Sequence, residues 1–274
     1  MKDPIIEPSK DLNVFSKNRL KIFNLSQQLL DAQNKKEQTL LDKDKISLEE
    51  AYQIQFLNNQ VLELSDKTRY WKTGILSNGQ VFCAPINNAL CQTSPANFCH
   101  RTFHALHVEA ELAFRINRPF LAKDSQVTSP SDDQILATID NVCVSIEVLD
   151  SRLRDWQSAD EMKHLADNQM NGALVLGQGI RFDAMQKEPM INFMEQEVAL
   201  YINNELVVLD KGSHPQKDPS SLLCDFIREA NLRGYDILED SWVTTGTWSG
   251  YPQAKIGDKV KAIFKHLGEA ELTL

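Results

Sequence analysis

The sequence predicts an α+β fold in which a curved mixed β-sheet follows helices at the N-terminus. Apolar residues recur at helical intervals near the start, whereas alternating apolar and polar residues dominate the middle and end of the chain. The resulting order of helices, many strands, one helix and further strands is typical of this class. A chain of 274 residues is long enough to bury a complete core. We expect a helical extension over residues 1–70 and one main mixed-β domain over residues 71–274.

The two predicted N-terminal helices cover residues 12–34 and 47–63. The first is supported by apolar side chains at helical spacing, namely Leu12, Phe15, Ile22, Leu25 and Leu29. The second begins with a capping box formed by Ser47 and Glu50 ahead of an apolar stripe. The connection from Asn34 to Lys45 is rich in lysine and aspartate and has few apolar side chains, so we expect it to be exposed.

Strands are predicted from Lys72 onward. Residues 107–115 and 142–149 alternate between apolar and polar side chains. The two segments 197–202 and 205–209 are joined by two asparagines, which tolerate positive φ, and this pattern predicts a hairpin. A helix over residues 219–232 is predicted to stop before Gly234. The last strands are predicted over three segments, 242–247, 259–267 and 269–274, with Gly268 between the last two.

Composition excludes several kinds of partner. The net charge is -9, and the lysines and arginines are spread along the chain, so no basic surface for nucleic acid or an anionic membrane is predicted. No apolar run reaches the length of a membrane span, and the first twelve residues lack the features of a signal peptide, so we expect a cytoplasmic protein. The five cysteines include no CxxC pair, which predicts reduced thiols rather than disulfides or structural zinc.

Three glutamates are predicted to lie on one face of the sheet. In HVEAELAF, residues 107–114, Glu109 and Glu111 lie opposite the apolar side chains, and period-two geometry puts their backbones roughly 7 Å apart. In NVCVSIEVL, residues 141–149, Glu147 likewise projects away from the apolar face. Three carboxylates without histidine suit a hard cation such as Mg²⁺ or Mn²⁺. On spacing alone the alternative is a solvated face of an amphipathic strand.

Six ordered strings resemble the hydratase/decarboxylase branch of the fumarylacetoacetase-like superfamily, which contains the 2-oxopent-4-enoate (2-hydroxypentadienoate) hydratases and the 4-oxalocrotonate decarboxylases. The strings are EAYQIQ at 50–55, WKTGI at 71–75, VEAELAF at 108–114, IEVLDSRLRDW at 146–156, ADNQMNG at 166–172 and VTTGTWSG at 243–250. The resemblance implies that family's fumarylacetoacetase C-terminal-like fold, with a long curved sheet, and makes residues 71–274 the catalytic domain. It also implies Mg²⁺ or Mn²⁺ at Glu109, Glu111 and Glu147, the residues that strand geometry selects.

The resemblance implies roles for further residues. Lys72 matches the family's active-site lysine, which could donate to substrate or shuttle a proton, whereas the alternative is a surface lysine at a strand edge. Thr247 and Ser249 match the hydroxyl-bearing loop that meets substrate, or else they belong to an ordinary turn. His107 shares the glutamate face, but the family supplies no histidine ligand there.

Three positions depart from the family pattern. Asn97 stands where the hydratases usually have an aspartate, so an acid/base function of that carboxylate would be absent or supplied from elsewhere. Met170 replaces a small residue, and Trp248 occupies a position that is commonly leucine. We expect both to line the substrate pocket and to make it smaller or more apolar.

The resemblance implies an enzyme that acts on a small 2-oxo acid. A lyase reaction is the leading prediction, and four alternatives remain open. The first is hydration of a 2-hydroxy-2,4-dienoate or 2-oxo-enoate to a 4-hydroxy-2-oxo acid. A 4-oxalocrotonate-type decarboxylase comes second, an acylpyruvate-type C-C hydrolase third, and a non-catalytic ligand-binding scaffold fourth. The family's habit also implies a homo-oligomer.

Overall fold

The computed structural model describes residues 10–41, 45–63, 67–125, 128–183 and 191–274, with side chains from residue 18 onward. The α-helices in this part of the chain are α1 (Lys10–Lys35), α2 (Leu48–Val61), α3 (Ala122–Ser125), α4 (Asp132–Leu136), α5 (Glu161–Ala166) and α6 (Leu222–Leu232). The strands are β1 (Tyr70–Ile75), β2 (Val81–Ile86), β3 (Cys91–Thr93), β4 (Ala96–Asn97), β5 (His107–Ile116), β6 (Ile139–Leu149), β7 (Asn171–Leu176), β8 (Ile180–Arg181), β9 (Glu197–Ile202), β10 (Glu205–Lys211), β11 (Ser241–Thr244), β12 (Lys259–Phe264) and β13 (Gly268–Thr273).

The two N-terminal helices are confirmed and pack against each other. Ser47 caps α2 by accepting a hydrogen bond from the Glu50 N–H at 3.2 Å, and the Glu50 carboxylate accepts one from the Ser47 N–H at 2.8 Å. This is the predicted capping box. The apolar stripe of α1 is buried at Ile22, Leu25 and Leu29, whereas the side chains of residues 12 and 15 lie outside the described part.

The connection between α1 and α2 was predicted to be exposed, which holds for residues 34–37 and Leu40 but is wrong at Leu41, which is buried, and at residues 38 and 39, which are half-buried. The side-chain amide of Gln38 donates to the carbonyl oxygens of Ser151 and Leu153 at 3.1 and 3.0 Å, and Leu41 is buried. The chain following β6 leaves carbonyl groups that need donors, and Gln38 supplies them. Residues 42–44 of the connection lie outside the described part.

The predicted mixed curved sheet is confirmed. Its strand order is β2-β1-β11-β5-β6-β7-β3, and β8 pairs with β6. Strand β1 runs parallel to β11 and β3 runs parallel to β7, whereas the other pairs are antiparallel. The sheet curls until β2 contacts β7, and its concave face therefore brings side chains from distant strands together.

A second sheet has the order β10-β9-β12-β13-β4 and packs against β6 through β12 and β13. The predicted hairpin β9–β10 is confirmed, and both central residues have positive φ, 51° at Asn203 and 67° at Asn204. Strands β11 and β12 are shorter than predicted, whereas β13 has the predicted length and begins one residue earlier. Strand β11 ends at Thr244 because the chain turns into the glycine-containing loop, and β12 ends at Phe264, where a turn over residues 265–267 begins.

Helix α6 is confirmed after a single turn over residues 219–221, and Gly234 beyond its end has a φ of 85°. Trp71 of β1 packs edge-on against Phe226 of α6, with ring centroids 5.8 Å apart. The chain division at residue 70 stays a prediction. None of the helices in the described ranges is long and apolar enough to cross a membrane.

Candidate metal centre

Strand register brings the predicted site together on the concave face of the curved sheet. Lys72 in β1 pairs with Thr244 in β11, and Glu109 in β5 lies directly opposite Glu147 in β6. Directly opposite residues point to the same side of a sheet, and Glu111 follows Glu109 by two positions along the same strand. The curl therefore places one lysine and three glutamates side by side.

The three carboxylates form a buried cluster. Each of Glu109, Glu111 and Glu147 offers an oxygen atom, and these atoms lie within 4.8 Å of one another. The exposed fractions of the three residues are 6, 0 and 0% respectively. A solvated strand face is thus excluded. Three ionised carboxylates at this separation repel each other in a buried site, so the cluster needs positive charge close by.

Neighbouring donors hold two of these carboxylates through one oxygen each. Glu147 accepts a hydrogen bond at Oε1 from the Asn171 side-chain amide at 3.0 Å. Glu111 accepts at Oε2 from the hydroxyl of Thr244 and from the Gly246 N–H, the latter at 3.0 Å. The other oxygen of Glu111, Oε1, is buried and has no hydrogen-bond partner in the described residues. A divalent cation would satisfy that oxygen, so the donor set fits Mg²⁺ or a similar hard ion.

Lys72 supplies the nearest positive charge. Its Nζ lies 2.9 Å from Oε2 of Glu147 and 3.5 Å from Oε2 of Glu109, and it donates to the carbonyl oxygen of Gln169 at 3.4 Å. The side chain is buried, so the alternative of a surface lysine at a strand edge is excluded.

Burial and charge shift the pKa values of this cluster. Burial raises the pKa of Glu109 to about 7 and that of Glu147 to about 8, with Lys72 opposing the rise and the neighbouring carboxylates adding to it. Burial by itself lowers the pKa of the Lys72 ammonium, but the three glutamate charges outweigh it and the pKa lies above its ordinary value. Lys72 therefore remains protonated near neutral pH.

The loop after β11 crosses β5 between two of the glutamates. The backbone N–H of Trp248 donates to the carbonyl oxygen of Ala110 at 2.9 Å, and the Ala110 N–H donates to the Ser249 hydroxyl at 2.9 Å. Thr247 donates to the Gly250 carbonyl oxygen at 2.8 Å and accepts from the Ser249 N–H at 3.2 Å. Thr247 and Ser249 thus lie close to the glutamate strand, and their substrate-binding role stays a prediction.

The ring of Trp248 belongs to the core rather than to the glutamate side. It packs against Phe193 and Phe264 with centroids 6.3 and 5.4 Å apart, and Phe193 packs in turn against Phe114 from the apolar face of β5. Met170 is partly exposed, and its carbonyl oxygen accepts from the Asp150 N–H at 2.8 Å. The predicted effect of both side chains on pocket size stays a prediction.

Asn97 and His107 form their hydrogen bonds outside the glutamate cluster. Asn97 is exposed in β4 of the second sheet, and its Oδ1 accepts from the Cys99 N–H at 3.0 Å. Nδ1 of His107 lies 2.7 Å from the carbonyl oxygen of Tyr251. A catalytic role of Asn97, and the absence of an acid/base carboxylate at this position, stay predictions.

Sequence reasoning missed the residues that orient the carboxylates. Thr244 and Asn171 lie in two of the strings that carry the family resemblance, VTTGTWSG and ADNQMNG, so a signal was present. The Gly246 N–H and the Gln169 carbonyl are backbone groups, and no side-chain pattern could identify them.

Comparison of the sequence with models of known protein families identifies the family of this chain. The model described as "Fumarylacetoacetate (FAA) hydrolase C-terminal" matches residues 59–274, which is most of the chain. The chain belongs to the fumarylacetoacetate hydrolase family. The predicted resemblance is therefore confirmed at the level of the family.

Solved structures of fumarylacetoacetate hydrolase relatives share the fold. The 4-oxalocrotonate decarboxylase from Pseudomonas putida G7, complexed with magnesium and adipate, is 17% identical and has a TM-score of 0.77, covering 93% of this chain and 97% of its own. The same enzyme complexed with calcium and acetate gives a TM-score of 0.75 at the same identity and coverage. The 2-hydroxyhepta-2,4-diene-1,7-dioate isomerase from Mycobacterium marinum has a TM-score of 0.50 at 17% identity, covering 77 and 74% of the two chains. The family and these neighbours are enzymes.

Cation affinity should increase with pH. At pH 6, below the pKa values of about 7 and 8, Glu109 and Glu147 are mostly protonated without metal, so a binding cation must displace protons. Affinity for Mg²⁺ should therefore rise from pH 6 to pH 8 and level off above the higher pKa. Calorimetric titrations in buffers of different ionisation enthalpy will measure the proton release directly. An affinity independent of pH across this range would contradict the raised pKa values.

Thr244→Val should weaken cation binding because it removes a hydroxyl that orients Glu111 while keeping side-chain volume. Losing such an orienting group typically costs about 10- to 100-fold in metal affinity. Thr245→Val is the matched control, since Thr245 is also buried but donates to the backbone carbonyl of Leu112 at 2.9 Å. Equal Mn²⁺ affinities in the two variants would show that the Thr244 hydroxyl does not orient a ligand.

Proposed function

We propose that this protein is a divalent-metal-dependent lyase that adds water to a 2-hydroxy-2,4-dienoate or 2-oxo-enoate and forms a 4-hydroxy-2-oxo acid. The observation that carries the proposal is a buried lysine in an ion pair with a cluster of three carboxylates, in which Oε1 of Glu111 has no hydrogen-bond partner among the described residues. Such a constellation can hold a hard cation and supply a proton in one site.

Glu109, Glu111 and Glu147 would hold Mg²⁺ or Mn²⁺. The bound cation would bind the 2-oxo and carboxylate oxygens of the substrate and stabilise negative charge on them. Asn171 and the Thr244–Gly246 donors hold the two deepest carboxylates in fixed orientations, so little reorganisation accompanies binding.

Lys72 is the proposed proton donor and shuttle. Its ammonium lies between Glu147 and Glu109, which keep it protonated, and the Gln169 carbonyl restricts its direction. Hydration adds a proton to one carbon and a hydroxyl group to the other carbon of a substrate double bond. Lys72 delivers the proton, a water molecule supplies the hydroxyl group, and the proton that this water loses returns to the Lys72 amine, so that one H₂O is added in total.

Decarboxylation of a 4-oxalocrotonate-like acid is the second candidate. The observation that favours it is the fold similarity to 4-oxalocrotonate decarboxylase over 97% of that chain. The adipate complex of that decarboxylase supports a small carboxylic acid as ligand in either reaction.

One assay separates these candidates. Purified protein with Mg²⁺ is offered a panel of 2-hydroxydienoates and oxo-diacids, with loss of dienol absorbance and release of CO₂ recorded together. Dienol loss without CO₂ supports hydration, and CO₂ release supports decarboxylation. Cleavage of an acylpyruvate included in the panel would support C-C hydrolysis. Cation binding without turnover of any compound would identify a ligand-binding scaffold.

We also propose a cytoplasmic homo-oligomer, a prediction that rests on the family resemblance and on the sequence.

A further inference from the structure

A turn preceding β7 contacts two members of the candidate site. Its residues Asn168, Gln169 and Met170 have φ values of 49°, 53° and 58°, a left-handed conformation that non-glycine residues rarely adopt in succession. The Gln169 carbonyl accepts from Lys72, and the chain continues into Asn171, whose amide donates to Glu147. The conformation of this turn therefore sets the surroundings of both Lys72 and Glu147.

Both ends of the turn are tied to the chain that follows β6. At its start, Asp167 is buried, forms an ion pair with Arg152 and accepts from the Ser151 hydroxyl at 2.9 Å. At its end, Arg152 Nη1 donates to the Asn171 carbonyl oxygen at 2.9 Å. These contacts locate the ends of the turn, and the Asp150 N–H donates to the Met170 carbonyl oxygen at 2.8 Å, but they leave the side chain of Asn168 to be held from elsewhere.

The first left-handed residue of the turn, Asn168, is held by the N-terminal helix α2. The side-chain amide of Asn168 donates to Oδ1 of Asn59 at 2.9 Å, and the Asn59 amide donates back to Oδ1 of Asn168 at 3.3 Å. Asn59 is 0% exposed and also donates to the Tyr235 hydroxyl at 3.2 Å. That hydroxyl donates to Gln55 one turn earlier in α2, at 3.1 Å. A buried amide is costly unless it is paired, and this network pairs it.

We propose that Asn59 is a positioning residue for the candidate site. Through its reciprocal amide pair with Asn168 it holds the left-handed turn, which in turn directs the Gln169 carbonyl to Lys72 and the Asn171 amide to Glu147. This inference rests on the proposed function, and it gives the N-terminal helices a part in the chemistry of the β-domain.

The neighbouring residue of α2 provides a matched control. Asn58 is also buried, but it accepts from the hydroxyl of Ser26 in α1 at 2.6 Å and so joins the two helices to each other. Asn58→Ala removes one side-chain hydrogen bond from this helix, and Asn59→Leu removes three, two with Asn168 and one with Tyr235. Only the second should affect the site.

The test uses the full chain and measures Mn²⁺ affinity by calorimetry, kcat and KM on the active member of the substrate panel, and Tm. Asn59→Leu should weaken Mn²⁺ binding about 10- to 100-fold, as expected for an orienting group, and should lower kcat more than it raises KM. Asn168→Gly, which tolerates the left-handed backbone but lacks the amide, should act similarly. The double variant should lose no more than the larger single loss, because both changes remove one pair. Asn58→Ala should lower Tm but leave Mn²⁺ affinity, kcat and KM unchanged.

Several results would overturn the inference. If Asn59→Leu and Asn168→Gly lower Tm but leave Mn²⁺ affinity and kcat at the Asn58→Ala level, Asn59 is merely structural. Additive losses in the double variant would likewise exclude action through the pair. A native protein that binds Mn²⁺ but turns over no panel compound refutes the proposed reaction, and Mn²⁺ affinity still decides the role of Asn59. A native protein that binds no Mn²⁺ or Mg²⁺ refutes both.

Discussion

Glu147→Gln and Glu109→Gln should each weaken Mg²⁺ or Mn²⁺ binding by more than about 100-fold, beyond the loss typical of an orienting group, and should abolish turnover. Each change removes a charged oxygen ligand with little change in volume. At position 147 the new amide also faces two donors, the ammonium of Lys72 and the amide of Asn171. Calorimetric titration with Mn²⁺ will measure the effect.

The control for this experiment is Glu205→Gln, which makes the same charge change at an exposed position of β10. The metal-free fold should survive in all three variants, since each substitution at the cluster reduces repulsion among buried carboxylates. Unchanged Mn²⁺ affinity in both cluster variants would refute the three-glutamate site. A collapse of Tm in the metal-free variants would instead show that the glutamates are needed for folding.

Lys72→Met should lower kcat by about 10² to 10⁴, the range typical of general acid-base catalysis, while Mn²⁺ binding persists. Methionine retains the unbranched stem but removes the ammonium from Glu147 and Glu109. Cation affinity should hold or increase, because a competing positive charge leaves the carboxylates. Steady-state kinetics and calorimetry on the same preparation will separate the two effects.

Two further variants serve as controls, one that changes the geometry of the charged group at position 72 and one that removes a lysine elsewhere. Lys72→Arg keeps the charge but replaces a compact ammonium by a planar guanidinium, so kcat should stay low even though charge is restored. Lys259→Met, at an exposed position of β12, should leave kcat unchanged. A Lys72→Met enzyme with native kcat would show that Lys72 neutralises the cluster without taking part in proton transfer.

Local sequence patterns predicted the elements that depend on local interactions. The capping box at Ser47 and the two asparagines at 203 and 204 predict a helix start and a hairpin, because both signals act within a few residues. Helices α3, α4 and α5 were not predicted, since they are 4, 5 and 6 residues long and too short for a repeating apolar stripe. The contact of Gln38, in the connection between α1 and α2, was not predicted because its partners follow β6, more than a hundred residues away in the sequence.

Side-chain alternation in the sequence was enough to predict that Glu109, Glu111 and Glu147 share a face, because each lies opposite the apolar residues of its own strand. The tertiary structure decided that this face is buried and that Lys72 lies against it, since only the curl of the sheet brings β1 to β6. It also decided which groups orient the carboxylates, because hydrogen bonds from backbone and distant side chains follow from three-dimensional proximity alone.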